Sequence, residues 1–361
     1  MTAYRTVDDL RASLDRAGLL SYAEPIARSA RPVILFLRVQ APDEALPPGA
    51  SKMGGLPDLP EDFAWPTRGP YPDAANRAVN AIDFAKQTAA TMQKQVEGPL
   101  EPHQRRIAQW EVDRLKTAAE LRAAAFQNRF PLGFVGQIDL VAMSAEPGFD
   151  PELPKTGTLS VFEDISGEGL AETPALFWHD RPAATLKRRP PPEALVQMHD
   201  EAGSYGLGQD AKWASLTLAE TLVPFSALSV PHHWKTATPV DSEPWRRIWA
   251  WFQSGDGEYA PGAPSFEGHA EHPQAGYFGD RLGGWPNPIQ GDVEQEMDGV
   301  KIETPGLTRW RQIFAYGGEF YGGTRRMPSD GKGDGTTYHM IEARDLEARR
   351  FDKTRWTYQM D

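Results

Sequence analysis

The sequence predicts an α+β protein: two related lobes of mixed, largely antiparallel β-sheet, the product of an internal duplication, with an αα-hairpin inserted in the first. Three observations predict it. Asp280-Arg-Leu-Gly-Gly-Trp-Pro286 echoes Ser51-Lys-Met-Gly-Gly-Leu-Pro57 far upstream, so one local design occurs twice. Short β-branched and aromatic runs, punctuated by 33 Gly and 32 Pro, favour brief strands and turns. From Asp73 to Asn128 the character changes to Ala, Gln and Arg without a β-branched run, which favours helix. The chain, 1–361, is expected to form one domain. Its first lobe spans 31–186 with the helical insertion at 71–129, and its second spans 187–361.

The elements follow in order. Thr6 caps a helix that Gly18 stops, with Asp9 at its third position and Val7, Leu10 and Leu14 on one face. Ser21 to Ser29 holds a further short helical turn. Pro32 to Gln40 is nearly continuously apolar, which predicts a strand covered on both faces. A proline-rich connector leads into the first Gly-Gly motif, where Gly54 and Gly55 supply positive-φ freedom and Pro57 fixes φ. Asp73 or Asn76 caps a helix to about Val96. Gly98-Pro99 breaks it, and Pro102 opens a second to about Asn128, with Ile107, Trp110, Leu115, Ala118, Leu121 and Ala125 at helical spacing.

Gly133 to Leu140 returns to strand, Thr158 to Phe162 follows a turn at Gly157, and Leu176 to Trp178 gives a third strand. Lys187 to Pro192 reads as a basic linker, and Leu195 to Gly208 yields no element. Trp213 to Leu228 suggests two short strands. Ser242 opens a helix whose apolar face is Trp245, Ile248, Trp249 and Phe252. After Gly283 and Gly284, the strand Arg309–Tyr316 carries Gln312-Ile313 where the first half has Gln137-Ile138. Gly335-Thr336 then matches Gly157-Thr158. Gln137 lies 20 residues before Gly157, and Gln312 lies 23 before Gly335. Ala343 to Phe351 is a short helix, and Thr354 to Met360 a closing strand.

Composition narrows the function. There is no cysteine, which excludes disulfides, thiolate metal sites and cysteine nucleophiles and fits a reducing compartment. No basic, apolar leader opens the chain, and no run reaches the ~18 apolar residues of a membrane span. A soluble cytoplasmic protein without a membrane partner is expected. Net charge is −12, and Phe252 to Glu303 holds ten acids against Arg281 and Lys301. Such a segment argues against nucleic acid and suits a basic partner or a cation. A solvated acidic loop explains it equally well.

Candidate chemistry is sparse, and no cofactor is expected. His269-Ala-Glu271-His272 offers two imidazoles, which zinc would complement with Asp280 or Asp292, but ordinary loop histidines fit the same letters. Asp330 to Gly335 reads better as a hairpin turn than as a calcium loop, because Lys332 occupies a ligand position. Gly206-Leu-Gly208 lacks the βαβ setting of a dinucleotide site. Gln137 and Gln312, inside apolar strands, must satisfy their amides. Either each ties down its Gly-Gly loop, or Gln137 joins Trp65, Trp285, Gln290 and Asp292 in a pocket between the lobes.

Ser51 to Pro57 with Trp65-Pro66, then Phe134-Val-Gly-Gln-Ile-Asp-Leu140 and Leu153-Pro-Lys-Thr-Gly157, form one ordered set. Gly283-Gly-Trp-Pro286, Ile289-Gln-Gly-Asp292 and the tail Asp345 to Asp352 extend it. From about Pro32 to the C-terminus, with Tyr71–Arg129 as an addition, the chain resembles the YwqG-like family of bacterial proteins of unknown function. The resemblance implies an intracellular α+β protein of two related lobes, transfers no catalytic residue, and through relatives near toxin genes suggests an immunity-type role. The expectation is therefore a non-catalytic cytoplasmic binding protein. Glu294, Glu296 and Asp298 would face a basic partner such as a toxin, with Trp285 as anchor. Two alternatives stand beside it. One is a small-molecule or metal-dependent enzyme using an inter-lobe cleft with His269, His272 and Asp292; the other is a scaffold role for the helical hairpin.

Overall fold

The computed structural model describes residues 4–99, 101–164, 175–202, 219–231, 242–253, 275–298, 308–317, 319–321, 324–326 and 335–360. Its frame is one ten-stranded antiparallel sheet. In chain order the strands are β1 (Arg31–Ala41), β2 (Lys52–Met53), β3 (Gly133–Asp139), β4 (Thr158–Glu163) and β5 (Ala175–His179). The second half adds β6 (Ala219–Ser229), β7 (Ala275–Gly283), β8 (Trp310–Gly317), β9 (Gly335–Glu342) and β10 (Arg355–Met360). Across the sheet they run β10-β9-β8-β7-β1-β6-β2-β3-β4-β5. The expected two lobes therefore share a single sheet. The long strands β1 and β6 pair at its centre, from Arg31 opposite Ser229 to Ala41 opposite Ala219. Each then takes a neighbour from the other half of the chain, β7 beside β1 and β2 beside β6.

Strand alternation sends Ile34 and Phe36 of β1, Leu222 of β6, Leu282 of β7, Phe314 of β8 and Val161 of β4 into one core cluster. The sheet curls until this face meets itself. Tyr316 of β8 hydrogen-bonds Glu163 of β4 although five strands separate them in the sheet. Burial of each large apolar side chain here contributes ~1.5–3 kcal/mol. A second cluster, around Leu10, Leu14, Ile26, Ile248 and Trp251, fastens the helices Val7–Arg16, Leu20–Ser29 and Glu243–Gln253 together.

The helix ends obey local rules. Thr6 and Asp9 form a reciprocal capping box, and Gly18 ends the turn at φ 69°. Helices Ala74–Val96 and Pro102–Gln127 form as read and pack on each other. Their apolar spacing is only half used. Leu115, Ala118 and Ala125 are buried, whereas Ile107 and Trp110 are 56% and 51% exposed.

Other expectations change. Of the stretch Trp213 to Leu228, the residues from Ala219 belong to one strand, β6, which pairs with β1 along its whole length and with β2 at Glu220 and Thr221, and residues 213–218 lie outside the described residues. The supposed linker contributes a short strand, Leu186–Arg188, paired with Asp58–Pro60. Helices Glu193–Ala202 and Val293–Asp298 arise where no element was read. In the helix after Ser242, Ile248 and Trp251 face inward, while Trp249 stays 41% exposed.

The two Gly-Gly turns have one backbone shape. Gly54 and Gly55 both lie at φ 66°, and Gly283 and Gly284 at 69° and 71°, a region closed to most side chains. Each turn is received by a side-chain oxygen at or just beyond the end of a central strand. Asp43 Oδ2 accepts from Leu56 N at 2.7 Å, and Ser229 Oγ accepts from Trp285 N at 2.8 Å. Register corrects one sequence match. Gln137 lies opposite Lys52, but the residue opposite Arg281 is Ala315, not Gln312. A break in register just before each, at Phe134/Gly136 and Gln312/Phe314, repeats as well. Ala315 is thus the positional counterpart of Gln137. It precedes Gly335 by 20 residues, as Gln137 precedes Gly157.

Candidate functional site

The concave face is apolar at one end and ionic at the other. Continuing the alternation of the core strands brings in Arg38 from β1, Glu220 from β6, Asp280 from β7, Tyr316 from β8 and Glu163 from β4. His339 and Thr337 of β9 lie opposite Phe314 and Tyr316 and share their face. All seven are at most 5% exposed. The matching signal in the sequence is a charged residue in phase with the apolar alternation, such as Arg38 two residues after Phe36.

These groups interlock. The Arg38 guanidinium donates to both Asp280 oxygens and, at 2.9 Å, to the Gly317 carbonyl. Glu220 stands 3.8 Å from the same guanidinium. Tyr316 donates its hydroxyl to Glu163, and its ring stacks on His339 at 5.7 Å. Asp164, next in the chain, accepts from Arg68 and from the Tyr71 hydroxyl.

Burial shifts their protonation. Desolvation, against the weaker pull of the Tyr316 hydrogen bond, pushes Glu163 up to about 7. Desolvation outweighs Arg38 at Glu220, which also rises to about 7. Asp280 is raised by the same burial, though Arg38 opposes it. Burial lowers His339 to about 3, so its imidazole stays neutral, and its Nε2 has no hydrogen-bond partner among the described residues.

A second ionic cluster holds the first Gly-Gly turn. Buried Asp58 accepts from Gly49 N at 3.0 Å, Gln137 Nε2 at 3.0 Å and Arg188 Nε at 2.9 Å. Lys52, fully buried, lies 2.6 Å from Asp43 and 3.6 Å from Asp58. Burial works against the Asp58 charge, but the Arg188 hydrogen bond, Lys52 and the Gly49 N–H together hold its pKa below the usual value. Gln137 completes this cluster by receiving Asp58 N at 2.9 Å and donating to the Ala50 carbonyl at 3.0 Å. Gln312 similarly donates to the Gly283 carbonyl at 2.7 Å. Both glutamines tie down Gly-Gly segments.

The other sequence candidates take separate places. Trp65 packs edge-on to Phe162 and donates to the Leu132 carbonyl at 2.8 Å. Trp285 is 2% exposed, under the Arg31 guanidinium, and donates to the Ser29 carbonyl at 2.7 Å. Buried in this way, it has no face left for a partner. Glu294 is buried too and pushed up to about 7, first by desolvation. Gln290 is exposed, and its N–H donates to Gln359 Oε1 at 3.2 Å. Asp292 is half-buried beside it in sequence. Glu296 accepts from Thr357 Oγ1 and Gln359 Nε2, each at 2.6 Å, and Asp298 pairs with Arg309. Trp65, Gln137 and Trp285 thus sit in different surroundings: Trp65 on Leu132 and Phe162, Gln137 on Asp58 and Ala50, and Trp285 on Ser29 and Arg31. His269 and His272 lie outside the described residues, among which no group of three or more His, Asp or Glu is placed to hold a metal ion. Among the described residues, no helix is long and apolar enough to cross a membrane.

A family described as "Domain of unknown function (DUF1963)" matches residues 51–360, starting at the serine that opens the first Gly-Gly motif and running through β10. The chain belongs to this family. The match is consistent with the YwqG-like resemblance, and no curated protein matches the chain. Nine of the ten strands, from β2 onward, fall within the DUF1963 region, whereas β1 and its Arg38 precede it. The family's description assigns no chemistry, so the site must be argued from its geometry.

Proposed function

We propose that this chain is a non-catalytic, cytoplasmic binding protein of the YwqG-like type, and that its ligand sits at the ionic end of the concave sheet face. The carrying observation is that inward positions on six strands converge there as a buried set of ionisable groups. Burying ions costs several kcal/mol each, and well-packed apolar residues would stabilise the fold as well. Perturbed groups gathered in this way mark functional sites. Arg38 with Asp280 and Tyr316 with Glu163 are held by each other, which favours fixed recognition over a base poised on a substrate atom.

The full chain, isolated under non-denaturing conditions from cells that encode it, is expected to carry one stoichiometric small ligand or partner by native mass spectrometry. Tyr316→Phe, which keeps the ring and loses the hydroxyl, should weaken retention. A protein that emerges bare, and whose melting temperature responds to no compound in a metabolite library, would end the reading.

The immunity-type version, in a bacterial cell with a basic toxin as partner, draws on the net charge of −12 and the exposed Glu296 and Asp298. It fails if Glu296→Lys with Asp298→Lys leaves partner binding intact. We also infer an internal duplication, with the helices Ala74–Val96 and Pro102–Gln127 as an inserted αα-hairpin. The repeated Gly-Gly turns, their caps and the common 20-residue interval support it.

A further inference from the structure

We propose that the group recognised at this site is an ammonium, carried by a small organic cation, which docks against the Glu163 carboxylate beside His339. The inference rests on the binding reading above and gives its ligand a charge. Two observations carry it. Among the anions at this end, Asp280 holds the Arg38 guanidinium and Asp164 holds that of Arg68. Glu163, 5% exposed, instead receives the neutral Tyr316 hydroxyl, with Asp164 adding like charge from the next position. A carboxylate with a phenol for a partner keeps acceptor sites that an N–H donor would fill.

His339 supplies the second, independent feature. It is 1% exposed, stacks on the same Tyr316 ring, and its Nε2 has no hydrogen-bond partner among the described residues. Buried polar nitrogens are ordinarily satisfied, so an orphan among these groups points to an absent one. We place the His339 proton on Nδ1, so that Nε2 and the Glu163 carboxylate, on either side of one phenol, offer two acceptors to a group that has only donors. An anionic ligand would face the Glu163 carboxylate, with Asp164 adding like charge from the next position.

The probes are 1,4-diaminobutane and methylammonium chloride, with tetramethylammonium as a cation that has no N–H and propionate as an anion. Calorimetry on the full chain is expected to show saturable binding of the primary amines and none of the two controls. Glu163→Gln should weaken amine binding about 10–100-fold, the span of one charge-assisted hydrogen bond, and His339→Phe about tenfold or less. If Glu163→Gln does not fold, the wild-type protein still decides. Titrated at pH 7 in buffers of different ionisation enthalpy, it should release a fraction of a proton per amine bound, because a cation ionises a partly protonated carboxyl. Equal amine affinity in Glu163→Gln, or binding without proton release, overturns the proposal. So does a wild-type protein that ignores amines but retains a neutral or anionic ligand, an outcome that leaves the binding reading standing. A protein that binds nothing removes both.

Discussion

Asp58 and Glu163 are buried almost equally, at 0% and 5% exposure, yet their carboxyls are driven in opposite directions. Asp58 is met by Arg188, Lys52, Gln137 and a backbone N–H, and its pKa falls. Glu163 is met by a phenol, and its pKa climbs to about 7. Desolvation acts on both, so the difference lies in the partners. The Asp58 cluster behaves as a clamp on the first Gly-Gly turn. The Glu163 cluster retains a charge that the protein leaves partly unmatched, which is the condition for a ligand to matter.

The strongest way to break the comparison is Asp58→Asn. It removes the fully buried carboxylate that receives Arg188, Gln137 and the Gly49 N–H and leaves Asp43 alone to balance Lys52 and Arg188, and the expected loss is ~3–5 kcal/mol in chemical denaturation. Asp43→Ala should cost less, ~1–3 kcal/mol, since it unpairs Lys52 from its nearer partner and strips the cap from Leu56 N. Tyr316→Phe removes one hydrogen bond from Glu163 and should cost ~1 kcal/mol, with a further rise in the Glu163 pKa visible by NMR titration. Glu163→Gln is the mildest, less than ~1 kcal/mol near pH 6, because the wild-type group is mostly protonated there already.

The pH dependence sharpens the contrast. Glu163 and Glu220 rise from an ordinary 4.5 to about 7 on folding. Between these values the folded chain binds more protons than the unfolded one. Each therefore contributes stability that is complete below about 4.5 and lost as pH rises through 7. Asp58, depressed below 3.8, has the opposite sign: its contribution is complete above 3.8 and lost on acidification. His339, lowered from 6.5 to about 3, likewise loses its contribution as pH falls through that range. Denaturation midpoints from pH 5 to 8 should show a shallower alkaline decline in Glu163→Gln than in the wild type. An unchanged slope would mean that Glu163 titrates normally and that the two clusters are alike.

Much of the fold was readable locally. The Thr6 cap, the stop at Gly18, both long helices and most strands follow from residue type at a given spacing, and the structure keeps them. The misreadings share a cause. Pro224 and Ser226 interrupt the apolar pattern of β6, yet pairing with β1 carries the strand unbroken from Ala219 to Ser229. Gln312 was matched to Gln137 by letter, whereas pairing with Arg281 assigns that position to Ala315. Trp285 resembled a surface anchor, because nothing nearby in sequence announces Ser29 and Arg31 as its cover.

The candidate site was the least legible part. Arg38, Glu163, Glu220, Asp280, Tyr316 and His339 come from six strands spread over three hundred residues of chain, and alone each is one polar letter in an apolar run. The sequence by itself determined the turns, caps and elements, because those depend on φ preference and on partners within a few residues. The tertiary structure alone decided which strands adjoin, which face closes on itself and which carboxyl meets an arginine. Those outcomes depend on pairings between halves of the chain, and their energies exist only once the sheet has curled.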